Sequence, residues 1–247
     1  NNNRAMIRFY SSSGYDNISF AARTSGSWIL QLNTSQKFRD TTSWYHIVAR
    51  CDTTNGTANI YINGVEVTDF TDSTKPSGSQ SLEWFNNSEH AVGRRSYTPS
   101  GTYMNGYMAE MNVIQGQALD ASYFGFTDSQ TGIWMPKRYE GTYGDGFYLD
   151  FSDNTSTTTL GIDKSPNGND FTLNNFDVND SVKDSPTNNF CTFNQLSNYD
   201  GMTLAEGDLK ATSSSSWKQT RGTMGVSSGK WYFEIRCNSI AATEGWI

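Results

Sequence analysis

Proline, histidine and cysteine are scarce in this chain, and acids outnumber bases. There are three cysteines, Cys51, Cys191 and Cys237. The number is odd and the spacings are wide, so no disulfide framework or zinc-ligand pattern is visible. Three reduced thiols are expected, some of them in strands. The two histidines, His46 and His90, have no His-x-x-x-His spacing and no Glu partner nearby, which leaves out a helical zinc-protease motif. A serine–histidine–aspartate triad can draw its members from distant points of a chain, and no pattern here selects one. Lysine and arginine total 18 against 25 acids, a net charge of −7. That balance argues against a nucleic-acid groove and against an anionic membrane surface. The apolar runs are a few residues long, far short of a membrane span, so no membrane insertion is expected. No signal peptide is visible. The chain opens NNNR without Met and closes on EGWI straight after a strand-like run. Both ends are expected to be cut from a longer protein.

What is abundant is aromatic, small or amidic. Aromatics make up 14% of the 247 residues and charged groups only 17%, with 22 glycines and many Asn, Ser and Thr. Strands take aromatic and β-branched residues, and turns take Gly, Asn, Asp and Ser. The composition therefore favours an all-β protein with many loops. The length accommodates one large β domain or two smaller ones, either able to bury a core. Six Asn-x-Ser/Thr sites occur, beginning with Asn17 and Asn33. Chance accounts for them in a chain of this composition.

Alternating runs fill residues 4–38: RAMIRFY, NISFAAR and SWILQL, separated by turn compositions. In SWYHIVARC (43–51), Tyr45, Ile47 and Ala49 share one face, and Trp44, His46 and Val48 the other. The turn DTTNG returns the chain into TANIYINGVEV (57–67), with Ala58, Ile60 and Ile62 on a common face. Asn63-Gly64 is the strongest hairpin signal, because both residues tolerate φ > 0. Residues 68–103 read as loop, with one short strand at AVG. GYMAEMNVIQG (106–116) reads as a central strand, and QALDASYFG as one helical turn capped by Asp120, with Leu119 and Phe124 inward. GFYLDF is a further strand. Residues 154–187 are a polar connector containing the turn SPNGND and a short strand, FTLNNF. From 188 strands resume: NNFCTFNQL, DGMTLAEGDLKAT and GVSSGKWYFEIRC.

SWYHIVARCDTTNGTANIYINGVEV resembles the strand pair of laminin-G-like, concanavalin A-like domains, which carry Trp-(Tyr/His)-His-(Ile/Val)-Ala and then Tyr-(Ile/Val)-Asn/Asp-Gly. AVGRR (91–95) and MNGYMAEMNVIQGQALDASYFG (104–125) follow in the family's order. The resemblance covers roughly residues 4–125. GTMGVSSGKWYFEIRC (222–237) resembles the opening strands of a SPRY domain, through Gly-Lys-Trp-Tyr-(Phe/Trp)-Glu. The whole arrangement is similar to structural proteins of tailed bacteriophages, marine ones especially. The residues that match them are Phe124-Gly125, Thr131 to Lys137, Tyr139, Gly141, Tyr143-Gly144, Gly146 to Phe151 and Asp163 to Phe171.

These resemblances imply an antiparallel jelly-roll β-sandwich over 1–153 and a connector over 154–187, with the start of a SPRY-like sandwich over 188–247. GFYLDF with GIDKSPNGNDF also resembles the opening of a laminin-G-like domain. It either begins a second sandwich or supplies edge strands to the first. The implied function is that of a virion structural protein, in a tail fibre or other appendage, made in the host cytoplasm. It would bind host surface glycan or other virion proteins and assemble as a homo-oligomer, plausibly a trimer. A capsid decoration or head fibre without sugar binding is one alternative, and a polysaccharide depolymerase another. The glucanases of this fold set carboxylates side by side at Glu-x-Asp-x-Glu spacing, where one serves as acid and the other as nucleophile or base. No such run occurs: Glu110 stands between apolar residues, and Asp150 and Asp153 are three apart.

Sugar binding calls for aromatic faces beside planar hydrogen-bonding groups, which Trp84, Phe85, Arg94, Arg95, Tyr97, Tyr103 and Asn105 supply in loops 82–105. The same Trp84 and Phe85 equally suit a core plug under a long loop. The aromatic stretch GIWMPKRYEGTYG (132–144) suggests an interdomain packing strap by its position. Laminin-G-like domains often hold Ca²⁺ through loop oxygens. Asp52 and Asn55 are candidates, as are Asp69 and Asp72, although all are also ordinary turn formers.

Overall fold

The computed structural model describes residues 3–11, 16–86, 89–96, 103–199, 201–214 and 218–239. Its first half holds seven strands: β1 (Arg4–Ser11), β2 (Asp16–Thr24), β3 (Ser27–Thr34), β4 (Ile47–Asp52), β5 (Thr57–Ile62), β6 (Val65–Glu66) and β7 (Phe70–Thr74). The second half holds six short ones: β8 (Met111–Val113), β9 (Gly125–Thr127), β10 (Trp134–Pro136), β11 (Phe147–Leu149), β12 (Thr203–Ala205) and β13 (Lys210–Thr212). Every strand pairing among the described residues is antiparallel. The only α-helix among them is the single turn Thr157–Leu160. The fold is all-β.

Two tight turns shape the sandwich. Ser25-Gly26 and Asn63-Gly64 both carry positive φ at each central residue, which matches the twist of the strands they join. They link Thr24 to Ser27 and Ile62 to Val65 as register partners. One sheet runs β1-β2-β3-β7 and the other β4-β5-β6. Alternation then builds the core. Ile18, Phe20 and Ala22 of β2 and Leu30 and Leu32 of β3 face Ala58, Ile60 and Ile62 of β5, with Phe38 at one margin. Tyr45, Ile47, Ala49 and Cys51 pack on the same cluster. Each fully buried aliphatic side chain contributes about 1.5–3 kcal/mol. Burial also pushes the Cys51 thiol up to about 11.

The outer face of β4 and β5 is covered by the chain that follows the sandwich. Val48 and Tyr61 pack against Ala121, Phe124 and Trp134. Asp120 caps the 3₁₀ turn Ala121–Tyr123 by accepting from the Ser122 N–H. The Trp134 indole lies between Gly64 and Gly125, where a Cβ on either glycine would run into the ring. Its Nε1 donates to Nδ1 of His46 at 3.2 Å. Burial holds the His46 pKa below its ordinary value, so the ring stays neutral and keeps that acceptor. Beyond this lies an aromatic layer of Tyr139, Tyr143 and Tyr148. Their hydroxyls donate to Thr142 O, Asn112 Oδ1 and Glu110 Oε2 in turn.

Several sequence expectations are corrected. AVG forms no strand, only an isolated bridge between Arg94 and Tyr103. Only Met111–Val113 of GYMAEMNVIQG is strand, and it pairs with β11 alone, so it is not central. The left-handed φ of Glu110 stops it on one side. FTLNNF forms no strand; Phe171 instead packs on Phe147, and Asn175 is left-handed. NNFCTF makes only isolated bridges, and residues 229–237 form no strand. Trp231 and Phe233 are exposed there. Trp134 of the 132–144 stretch packs on β4–β5 of the first sandwich.

Candidate functional site

The aromatic and arginine set of loops 82–105 divides in the structure. Trp84 sits in the 3₁₀ turn Glu83–Phe85, and its ring meets Phe20 edge-on at 5.8 Å, half-buried against the core. Phe85 beside it is exposed. Arg94 and Tyr103 are bridge partners, and the Met104 N–H donates to Gly93 O at 2.7 Å. Tyr103 is 66% exposed. Arg94 pairs with Glu89 at 2.6 Å and donates to its neighbour's carbonyl, Arg95 O, at 2.9 Å. Arg95 is half-buried and Asn105 exposed. Tyr97 lies outside the described residues. The structure thus pairs Arg94 with Tyr103, two residues before the exposed Asn105, and leaves Trp84 on the core.

The β4–β5 turn is closed by its own side chains. Asp52 accepts from the Asn55 N–H at 3.0 Å and from its side-chain amide at 2.7 Å. These bonds hold the Asp52 carboxyl below the usual carboxylate range. Asp72 accepts from Asn33 Nδ2 at 2.7 Å. Among the described residues no cluster of three His, Cys, Asp or Glu side chains is spaced for a metal ion.

Three of the remaining carboxylates, Glu110, Asp150 and Asp163, lie around Tyr148. Glu110 accepts from the Tyr148 hydroxyl at 2.7 Å, and burial followed by this bond drives the phenol pKa up. Burial also pushes Tyr143 up to about 12. Asp150 and Asp153 each accept from residues two further on, Ser152 and Thr155. Two open grooves lie elsewhere. One, of about 600 Å³, runs along the Asn63-Gly64 turn between Ser35, Ile62, Val65, Glu66, Val67 and Asp69. The other, of about 230 Å³, lies by the Thr157–Leu160 turn and Phe171.

One arrangement escaped the sequence reading. Asp163 is buried, and its carboxylate accepts from the N–H groups of Tyr148, Ser165 and Asn169 and from the Ser165 hydroxyl, each at 2.8 Å. Asn167 and Asn169 then donate to the carbonyls of Gly144, Asp145 and Gly146. Burial raises the Asp163 pKa, but the backbone donors outweigh it and hold the group below its ordinary value. The stretch DKSPNGND is visible in sequence as a turn. Its partners around 144–148 are set by tertiary contact.

No curated protein and no solved structure matches the chain. Among the described residues no helix is long and apolar enough to cross a membrane. Residues 1–122 match a laminin G family model described as the concanavalin A-like lectin/glucanases superfamily. The antiparallel β-sandwich of the first half is a domain similar to that superfamily.

Proposed function

We propose that this chain is a structural protein of a bacteriophage virion, built into a tail fibre or similar appendage, whose lectin-like sandwich binds host surface glycan. The phage assignment rests on the order of motifs from Phe124 to Phe171 and on the SPRY-like GKWYFEIRC. The binding role rests on the similarity of residues 1–122 to a superfamily of lectins and glucanases. One observation carries the choice of surface. Tyr103, two-thirds exposed, is the bridge partner of Arg94 and lies two residues before Asn105. An exposed aromatic ring in a segment that also carries a guanidinium and an amide suits a pyranose better than it suits packing. Rigid sheets hold that loop in place.

The reading is binding without turnover. The sequence lacks the Glu-x-Asp-x-Glu run of the glucanases of this fold, which favours a lectin over a depolymerase. Single sugar sites are weak, so several copies acting together strengthen attachment. Other virion proteins are the remaining partners.

The test is a glycan array read with the chain and with Tyr103→Ala, alongside imaging of particles that carry the protein. Glycan capture weakened about tenfold by Tyr103→Ala, equal to about 1.4 kcal/mol, with density at a fibre end, is expected. Density spread over the shell together with an empty array would replace this reading with capsid decoration.

A further inference from the structure

Four Asn-Gly pairs occur in the chain: Asn55-Gly56, Asn63-Gly64, Asn105-Gly106 and Asn167-Gly168. Asparagine is a thermolabile residue, and a following glycine makes it more so. The backbone nitrogen of the next residue can reach the side-chain carbonyl carbon, Cγ. Glycine has no Cβ to obstruct that approach or to restrict the backbone rotation that brings it about. A given pair then reacts to the extent that the fold lets the side chain turn and leaves the nitrogen unbonded.

Three of the four pairs are held. Asn55 Nδ2 donates to Asp52 at 2.7 Å, and its N–H donates to the same carboxylate at 3.0 Å. Asn63 is fixed in the tight turn at φ 48°. Its Oδ1 accepts from the His46 N–H and its own N–H donates to His46 O, each at 2.8 Å. The Trp134 ring closes over Gly64. Asn167 Nδ2 donates to Gly144 O at 2.7 Å and to Gly146 O at 2.8 Å. In each of these pairs a native bond must break before Cγ can meet the nitrogen. Asn105 differs. Residues 103–108 are all exposed, and 104–110 belong to no helix or strand. Among the described residues, neither the Asn105 side chain nor the Gly106 N–H makes a hydrogen bond. A Cβ on Gly106 would meet only Met104 Cε, at 3.7 Å, so the space around the pair is open.

We propose that the fold singles out Asn105 as a site of spontaneous covalent modification, closing on the Gly106 nitrogen to a succinimide and reopening to aspartate and isoaspartate. The Gly106 nitrogen forms a bond to Asn105 Cγ, and the Cγ–Nδ2 bond breaks. Nδ2 leaves as ammonia, taking the proton of the glycine amide. Water then adds to one of the two ring carbonyls. Addition at Cγ gives aspartate. Addition at the main-chain carbonyl routes the backbone through Cγ and gives isoaspartate. Nothing is oxidised or reduced, and water is the only co-reactant. Either product exchanges a neutral amide for a carboxylate two residues from Tyr103 and takes the net charge one unit below −7. The chemistry does not rest on the glycan reading: a chain that converts at Asn105 and captures no sugar, or the reverse, separates the two.

The test follows the intact chain in mildly alkaline buffer, with and without urea. Digestion in mild acid and mass spectrometry against synthetic aspartate and isoaspartate peptides read each Asn-Gly pair. In the native chain Asn105 should convert about fivefold faster than Asn55, the factor set by breaking one net hydrogen bond. Its lead over Asn167, which must break two, should be larger. In urea the lead should shrink, because the restraints on the other three are gone. Isoelectric focusing should show a new acidic band that runs with freshly made Asn105→Asp and does not form in Asn105→Gln. Another Asn-Gly pair converting first in the native chain would overturn the proposal. So would an Asn105 that stays intact while the urea-treated chain converts, or a lead that persists undiminished in urea.

Discussion

Replacing Asp163 removes the acceptor around which one loop is tied. Three backbone N–H groups converge on its carboxylate at 2.8 Å, along with one hydroxyl that can turn elsewhere. A buried N–H left without an acceptor costs about 1–3 kcal/mol. Asp163→Ala strands three of them. Allowing water to reach at least one, the loss is about 3–5 kcal/mol, a large part of the 5–15 kcal/mol typical of a folded domain. Asp163→Asn keeps an oxygen for Tyr148 and Ser165 but turns an amide N–H toward that of Asn169, for a smaller loss of about 1–3 kcal/mol. Urea unfolding followed by tryptophan emission measures both. The carboxyl also makes stability depend on pH. Its folded pKa lies below its unfolded one, so its contribution is fully present above about pH 4 and is lost as pH falls through the folded value. Asp163→Asn should remove that part of the acid sensitivity. Losses under about 1 kcal/mol for both variants, or an acid profile unchanged in Asp163→Asn, would refute the argument.

Gly64→Ala asks a residue with a side chain to hold φ +80° and drives its Cβ into the Trp134 ring. The backbone strain of about 1–2 kcal/mol and the overpacking of about 1–3 kcal/mol together predict a loss of about 2–5 kcal/mol, readable as a lower melting temperature with a changed Trp134 environment. Thiol titration at pH 8 should find two fast cysteines, the exposed Cys191 and Cys237. Cys51, half-buried with its thiol pKa pushed up to about 11, should react only after unfolding; three fast thiols in the native protein would show that the β4 side of the core is open.

Legibility in the sequence followed the range of the forces involved. The sandwich was readable because apolar residues recur at every second position of β2 to β5, as in Ile18, Phe20 and Ala22, and tight turns such as Asn63-Gly64 carry the required φ. Asn63-Gly64 and the Asp120 cap are local devices, and both stand where the sequence puts them. GKWYFEIRC alternates just as well and forms no strand, since period two says that a segment can pair but not that a partner lies beside it. The same limit explains Met111–Val113, where Glu110 turns left-handed and its carboxylate reaches Tyr148 across 38 residues. Of the loop set, Arg94 and Tyr103 pair nine residues apart, whereas Trp84 is drawn to Phe20, a contact that no local pattern encodes.

Two indole hydrogen bonds that tie the first-half sandwich to later chain bear on how long the native state lasts. Trp134 reaches His46 across 88 residues, and Trp44 reaches Asp184 across 140. The β4–β5–β6 meander closes through turns of a few residues. Loop closure grows costlier with separation, so the meander forms early and the indoles dock late. Contacts made after the folding barrier leave the refolding rate alone and act on the rate of escape. Trp134, wedged between two glycines, is therefore a latch in time: loosening it should shorten the half-life of the folded chain while refolding proceeds at its former pace.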